Sequence, residues 1–385
     1  MVKQLAIFGA TGTIGDNALN IVRAHPDDFN IVTLSAHKNS TKLIALAREF
    51  MPKRVVIGHS DYYNTVRDAL SSDIDVLCGN DGLVEAAHAP CDIFLSAIMG
   101  FSALRPTMAA IEAGHVIALA NKECLVAAGS LFMHACSVHN TTLLPVDSEH
   151  NALFQLWHAV QNNTPKHITL TASGGPFRGK TTQELQSVTV KEAVTHPNWA
   201  MGAKISVDSA TLMNKGLELL EAMHLFSLAP EQCHAVIHPE SIMHCLIEMT
   251  DGSHFAQLAM PDMRTPIAHA LHYPSRLCLD LPKLDLADIG TLRFEKADAD
   301  TFRCLQLARD VMSAPASAAI ALNAANEIAV DAFLNGIIRF VDISYIIDDT
   351  LQMLTHHSVT QLDEVYEIDH ISRDATRALL HKRAV

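Results

Sequence analysis

Leu5-Ala6-Ile7-Phe8-Gly9-Ala10-Thr11-Gly12-Thr13-Ile14-Gly15 is the stretch from which the fold can be read. Four consecutive apolar residues suit a strand covered on both faces, and three glycines follow it at once. Ile14, Ala18, Ile21 and Val22 then share one helical face, and Pro26 falls just beyond the helix they define. A strand, a glycine turn and a helix in this order place backbone N–H groups and a helix N-terminus where a pyrophosphate can be held. The spacing is Gly-x-x-Gly-x-x-Gly rather than Gly-x-Gly-x-x-Gly, and a plain tight turn would also use glycines. Its place at the head of a series of strand–helix units favours dinucleotide binding.

Outward from this loop, short apolar runs at 5–8, 31–34, 55–57, 74–77, 93–96, 116–120 and 143–146 alternate with helical stretches. Seven such runs imply a parallel sheet with right-handed crossovers winding helices over both faces. The fold class is therefore α/β, with a Rossmann-like doubly wound domain at 1–147. Beyond it the rhythm changes to helix, strand and a loop at Ser173-Gly174-Gly175-Pro176-Phe177, so 148–272 reads as an α+β catalytic domain. Runs at 242–249 and 254–260 flank Thr250-Asp251-Gly252-Ser253 as an antiparallel hairpin, a surface suited to dimerisation. Residues 273–300 carry Pro274 and Pro282 without a sustained period and read as a linker, and 301–385 as a C-terminal bundle of four helical segments.

A chain of 385 residues supports two or three cores, and 49% hydrophobic with 18% charged residues is ordinary for globular proteins. No apolar run reaches the roughly 18 residues that a membrane span needs. The net charge of -14 disfavours nucleic acid and anionic lipid as partners, so any phosphate must be bound locally. Met1 leads directly into the first strand without a charged leader or long apolar core, which makes the cytoplasm the expected compartment. The eight cysteines form no Cys-x-x-Cys pair and are expected to be reduced, and His234, His238 and His244 form no His-Glu-x-x-His zinc site.

The second strand reports on the dinucleotide. An NAD site places an acid about 20 residues beyond the glycine loop. Here the strand ends in Ser35-Ala36-His37-Lys38-Asn39-Ser40, a cation and neutral donors where a 2′-phosphate would sit, so NADPH is preferred. A solvated surface role for Lys38 is the plain alternative.

The last strand of the first domain runs into Pro145-Val146-Asp147-Ser148-Glu149-His150-Asn151 at a carboxyl edge, where open α/β sheets bind ligands. Two acids two apart in extended chain point the same way and repel unless a cation neutralises them. The plain alternative is a helix start, with Asp147 or Ser148 as N-cap and Glu149 in the first turn. Further on, residues 205–218 read as a strand leading into a polar helix on which Asn214, Lys215 and Glu218 share a face. A solvated Lys–Glu pair is the plain alternative there. A third carboxylate meeting Asp147 and Glu149 would complete an all-oxygen site for Mg2+ or Mn2+.

In this order, Gly-Ala-Thr-Gly-Thr-Ile-Gly, Ala120-Asn121-Lys122-Glu123, Pro145-Val146-Asp147-Ser148-Glu149, Thr171-Ala172-Ser173-Gly174-Gly175-Pro176-Phe177, His196-Pro197-Asn198-Trp199 and the block from Ser209 to Glu218 resemble motifs of the 1-deoxy-D-xylulose-5-phosphate reductoisomerase family. The resemblance spans essentially the whole chain. It implies an NADPH-dependent isomerisation and reduction of a sugar phosphate in isoprenoid precursor synthesis, with Mg2+ or Mn2+ and Co2+ as a third candidate. It also implies a cytoplasmic homodimer with no nucleic-acid or membrane partner.

By the same resemblance, Thr11, Gly12, Thr13, Ile14, His37, Lys38, Asn39, Asn121, Glu123 and Gly202 contact the cofactor. Asp147, Glu149 and Glu218 hold the metal. Lys122, Ser148, Glu149, Ser173, His196, Trp199, Ser209, Asn214, Lys215 and Glu218 contact the substrate, with Lys122, Glu149 and His196 in the chemistry. Residues 196–201 resemble a flap that Trp199 closes. His37 and Ala172 each stand where the family pattern has glycine, which bears on cofactor contacts and loop geometry.

Two competing readings remain at this stage. Another two-domain NADP-dependent dehydrogenase, acting for instance on an amino-acid semialdehyde, would need a nucleophilic cysteine such as Cys124. A non-catalytic NADPH-binding protein would have no use for three acids and two lysines together.

Overall fold

The computed structural model describes residues 2–160, 163, 165–197, 199 and 201–383, with side chains to 381. It comprises two compact units. The first contains Met1–Cys124, Phe132–Asn151 and Asp262–Asp280, and the second Leu125–Leu131, Ala152–Pro261 and Leu281–Val385.

Seven parallel strands form the first unit's sheet: β1 (Lys3–Phe8), β2 (Phe29–Ala36), β3 (Arg54–Ile57), β4 (Asp75–Cys78), β5 (Ile93–Ser96), β6 (Val116–Leu119) and β7 (Leu143–Pro145), each within two residues of an apolar run in the sequence. Their order, β4-β3-β2-β1-β5-β6-β7, reverses direction between β1 and β5. That switch point is where loops diverge and open a crevice at the strands' carboxyl ends. Between the strands run α1 (Thr13–Ala24), α2 (Ser40–Phe50), α3 (Tyr63–Ala69), α4 (Gly79–Ala87) and α5 (Leu104–Glu112), followed by α6 (Glu123–Val138) and, after β7, α7 (Ser148–Ala159).

The glycine loop owes its shape to two close approaches. Gly9 has φ 94°, and a Cβ there would lie 2.3 Å from the carbonyl oxygen of Ala97. A Cβ on Gly15 would lie 2.5 Å from the Gly9 oxygen, so the first turn of α1 sits directly on the end of β1. Gly9→Ala combines positive φ with a backbone clash and is expected to cost about 3 kcal/mol or more, read as a fall in the unfolding midpoint. An unchanged midpoint would contradict this packing.

The second unit is built on five strands in the order β11-β10-β8-β9-β12: β8 (His167–Ala172), β9 (Cys233–Ile237), β10 (Met243–Glu248), β11 (His254–Leu258) and β12 (Glu295–Lys296). β10 and β11 form the antiparallel hairpin expected from the sequence. Helices α8 (Thr182–Leu185), α9 (Val190–Ala193), α10 (Ala203–Ala210) and α11 (Met213–Phe226) precede β9, and α12 (Arg264–His272) and α13 (Leu286–Ile289) follow β11. The C-terminal part carries four helices joined by short non-helical stretches: α14 (Arg303–Met312), α15 (Ala316–Leu334), α16 (Asp342–Met353) and α17 (Leu362–Arg383). A continuous core joins Leu217 and Leu220 of α11 to Leu305 and Ala308 of α14 and Leu322 of α15.

Three expectations change. Residues 205–207 are not a strand but the middle of α10, where Val207 and Ala210 are buried while Lys204 pairs with Asp208 one turn on, a periodicity of 3.6 rather than 2. The 273–300 segment is not featureless, since it contains α13 and contributes β12, whose Glu295 and Lys296 pair with Ile237 and Val236. Helix α12, read from sequence with the middle domain, groups with the first unit. There Lys3 Nζ donates to the carbonyls of Leu271 and Tyr273, both at 3.1 Å, and Asn151 Nδ2 lies 3.0 Å from His269 Nδ1.

Candidate active site

At the carboxyl end of β1, Gly12 is the N-cap of α1, and no side chain occupies the cap. Gly12 and Thr13 are exposed and Thr11 and Ile14 half-buried, leaving the first-turn N–H groups accessible to an anion. The neighbouring loop after β2 presents His37, Lys38 and Asn39, all exposed. Asn39 caps α2 by accepting the Lys42 N–H at 3.1 Å. Lys42, which sequence reading passed over, donates to the Thr11 carbonyl at 3.2 Å and pairs with Asp16. It braces the glycine loop, and nothing in linear spacing marks it.

Asn121 and Glu123 follow β6 and are buried. The Asn121 amide donates to the carbonyls of Ile98 and Gly100 at 2.8 and 3.0 Å, while its oxygen accepts the Cys124 N–H at 2.9 Å. The side chain thus ties the loop after β5 to the start of α6.

Asp147 and Glu149 are not related by an extended repeat. The helix start weighed as the plain alternative is what forms: Asp147 Oδ1 accepts the N–H groups of Glu149 at 3.1 Å and His150 at 3.4 Å at the head of α7. Asp147 Oδ2 takes a hydrogen bond from Lys122 Nζ at 3.0 Å, and Ser148 Oγ donates to Glu149 Oε2 at 2.8 Å. Fully buried His150 places Nδ1 3.3 Å from Asp147 Oδ1, a partner that its i,i+3 spacing could have signalled.

In the second unit, His196 Nδ1 accepts the Trp199 N–H at 3.0 Å, so its proton sits on Nε2 and is donated to Ser173 Oγ at 2.8 Å. Ser173 Oγ also accepts the Gly175 N–H at 3.2 Å, which leaves its own proton to direct elsewhere. Of the flap residues 196–201, Asn198 and Ala200 lie outside the described residues. Gly202 is the N-cap of α10, again without a side-chain cap, and Ser209 is half-buried near that helix's end. Leu212, at φ 60°, makes the elbow from which α11 departs. On α11, Glu218 is 1% exposed and accepts from Asn214 at one oxygen and Lys215 at the other.

One carboxylate oxygen from each of Asp147, Glu149 and Glu218 lies within 4.8 Å of the other two. Three negative charges this close favour a shared cation, and an all-oxygen donor set suits a hard divalent ion rather than zinc.

Burial lowers the His196 pKa from 6.5 to about 4. The ring is therefore neutral at pH 7 and acts as a donor through Nε2–H, not as a cation. Between pH 6.5 and about 4 the unfolded chain takes up a proton that the folded chain refuses, so this contribution to stability is complete above 6.5 and lost on acidification through that window. Allowing for solvent screening it amounts to roughly 2 kcal/mol. A His196→Gln variant should lose less stability than the parent between pH 7 and 4 in denaturant titrations, and identical pH slopes would refute the assignment.

Three protein-family models match in succession: 1-deoxy-D-xylulose 5-phosphate reductoisomerase over residues 5–129, its C-terminal domain over 143–226, and the DXP reductoisomerase C-terminal domain over 258–375. The chain belongs to the 1-deoxy-D-xylulose 5-phosphate reductoisomerase family. A reductoisomerase of Geobacillus sp. (strain WCH70) is 48% identical over 381 residues, covering 98% of this chain and 100% of the relative. One of Ralstonia pickettii (strain 12J) is 47% identical over 382 residues, covering 97% and 96%. Among solved structures, the Zymomonas mobilis reductoisomerase in complex with NADPH is similar at TM-score 0.91 and 42% identity, covering 99% of each chain. A DOX-P reductoisomerase in complex with NADPH, fosmidomycin and magnesium is similar at TM-score 0.92 and 43% identity, covering 99% of this chain and 98% of that one.

Proposed function

We propose that this reductoisomerase-family chain converts 1-deoxy-D-xylulose 5-phosphate to 2-C-methyl-D-erythritol 4-phosphate, using NADPH and Mg2+ or Mn2+, in isoprenoid precursor synthesis. The observation that carries this reading is the convergence of Asp147, Glu149 and Glu218, an all-oxygen set that fits such an ion. When bound, the metal polarises the substrate ketone and its neighbouring hydroxyl, and NADPH supplies the hydride that reduces the rearranged aldehyde.

The chain's own residues do the rest. The uncapped N-terminus of α1 receives the pyrophosphate through Thr11, Gly12, Thr13 and Ile14, and His37, Lys38 and Asn39 receive the adenosine end. Asn121, Glu123 and Gly202 complete the cofactor contacts. Ser148, Ser173, His196, Trp199, Ser209, Asn214 and Lys215 hold the sugar phosphate. Lys122 and Glu149 steady charge and protons beside the reacting carbons, and Trp199 helps to exclude water. Lys38→Glu is expected to lower kcat/KM for NADPH about tenfold or more while sparing NADH, because a carboxylate would repel the 2′-phosphate and suit a ribose hydroxyl. Unchanged selectivity between the two cofactors would reject this role for Lys38.

The semialdehyde reading loses support because Cys124, its required nucleophile, is fully buried in α6. Dimerisation through the edge strand β11, where Phe255 is 46% exposed, fits the proposed reading.

The test is loss of NADPH absorbance with 1-deoxy-D-xylulose 5-phosphate, with Mg2+ or Mn2+ and then with EDTA. Oxidation abolished by EDTA is the expected result. Absence of oxidation from folded protein with either metal would overturn the reading.

A further inference from the structure

We propose that Asn326, in the C-terminal helices, is a positioning residue for the sugar phosphate and acts through Asp208 on α10. The proposal rests on the reading of Ser173 and Ser209 as substrate contacts. Asn326 is 0% exposed and Asp208 2% exposed. Asn326 Nδ2 donates to Asp208 Oδ1 at 2.9 Å, and Lys204 Nζ lies 2.8 Å from Oδ2. A buried carboxylate held at both oxygens cannot turn without leaving charge uncompensated, so the pair fixes the rotation of α10 against α15.

What α10 carries gives that rotation a consequence. Ser209 is the next residue, and a Cβ on Gly175 would lie 2.6 Å from its carbonyl oxygen, so the turn bearing Ser173 rests on Ser209 backbone. Thr211 Oγ1 donates to the Asp208 carbonyl at 3.2 Å and accepts the Met213 N–H at 3.3 Å, closing the elbow from which Asn214, Lys215 and Glu218 project. One clamp behind the site therefore sets Ser173, Ser209 and the head of α11 together.

Packing alone does not account for an asparagine here. Its Oδ1 is buried without a hydrogen-bond partner among the described residues, a cost that alanine or leucine would avoid. The amide cannot flip to relieve this, because Oδ1 would then face the Asp208 carboxylate. α15 is itself braced: Asn323 Nδ2 donates to Glu327 at 3.2 Å, and Arg373 of α17 bonds both Glu327 and Asp369 at 2.7 Å.

The test compares the parent with Asn326→Ala, Asn326→Asp and the double variant D208N/N326D, which restores an amide–carboxylate pair in reverse. Steady-state kinetics are read separately for the sugar phosphate and NADPH, alongside melting temperature. Asn326→Ala should lower kcat/KM for the sugar phosphate about tenfold, mainly through KM, with the NADPH KM changed less than about twofold, and should also lower the melting temperature because the buried Asp208 oxygen loses its donor. Asn326→Asp should be worse and the double variant should recover most of the loss, which keeps the test decisive if Asn326→Ala fails to fold. Parent-like sugar phosphate kinetics in Asn326→Ala, or a double variant no better than Asn326→Asp, would overturn the proposal alone. A parent protein inactive on the sugar phosphate would instead overturn the functional reading, and this inference with it.

Discussion

Replacing Glu218 by Gln lowers kcat/KM by at least about a hundredfold and raises the metal concentration needed for half-maximal rate. Glu218 is the buried member of the carboxylate trio, and its two oxygens accept from Asn214 and Lys215. A glutamine keeps the volume but turns one acceptor into a donor that faces another donor, and on the proposed ligand role it removes a full charge from the metal's share. Excess Mn2+ should restore part of the rate, since mass action offsets a weakened site. Because the Lys215 ammonium loses its carboxylate partner, some instability is also expected, and unfolding must be measured beside the kinetics. Full metal-dependent turnover in a folded Glu218→Gln protein would remove Glu218 from the ligand set.

Lys122→Met should act on turnover rather than binding, with kcat falling about a hundredfold and the substrate KM moving less than about threefold. Lys122 is buried at the end of β6 and its ammonium reaches Asp147 Oδ2. Methionine follows nearly the same path without the charge. Asp147 keeps its orientation in the variant, because the N–H groups at the head of α7 still hold its other oxygen. On the role proposed for Lys122, what disappears is a fixed cation beside the reacting carbons, where charge builds during rearrangement. Lys122→Arg should recover only part of the rate, since guanidinium is broader and its protons are fixed in a plane. A Lys122→Met enzyme with parent kcat and a large KM increase would make Lys122 a binding group instead.

Local pattern made the N-terminal sheet legible. Apolar runs bounded by helices leave a buried parallel sheet as the simplest arrangement, and each of the seven became a strand. The glycine loop was legible because a Cβ on Gly9 would lie 2.3 Å from the Ala97 carbonyl oxygen, so that position admits no side chain. Misreadings arose where short-range signals compete. Ile205-Ser206-Val207 alternates like a strand over three residues, yet the Lys204–Asp208 pair and the buried Val207 and Ala210 need a helical period. At Asp147 the extended reading lost because N–H groups at the head of α7 require an acceptor, and an aspartate one residue before the helix supplies it.

Composition, spacing and motif order were enough for the fold class, the glycine loop and the family, since these follow from neighbours along the chain. Partnership between distant residues was not written there. That Lys42 braces the glycine loop and that Asn326 holds Asp208 across 118 positions depend on how strands and helices stack. Such contacts arise from packing of whole elements, and a single sequence carries no local signal of which buried polar groups will face each other.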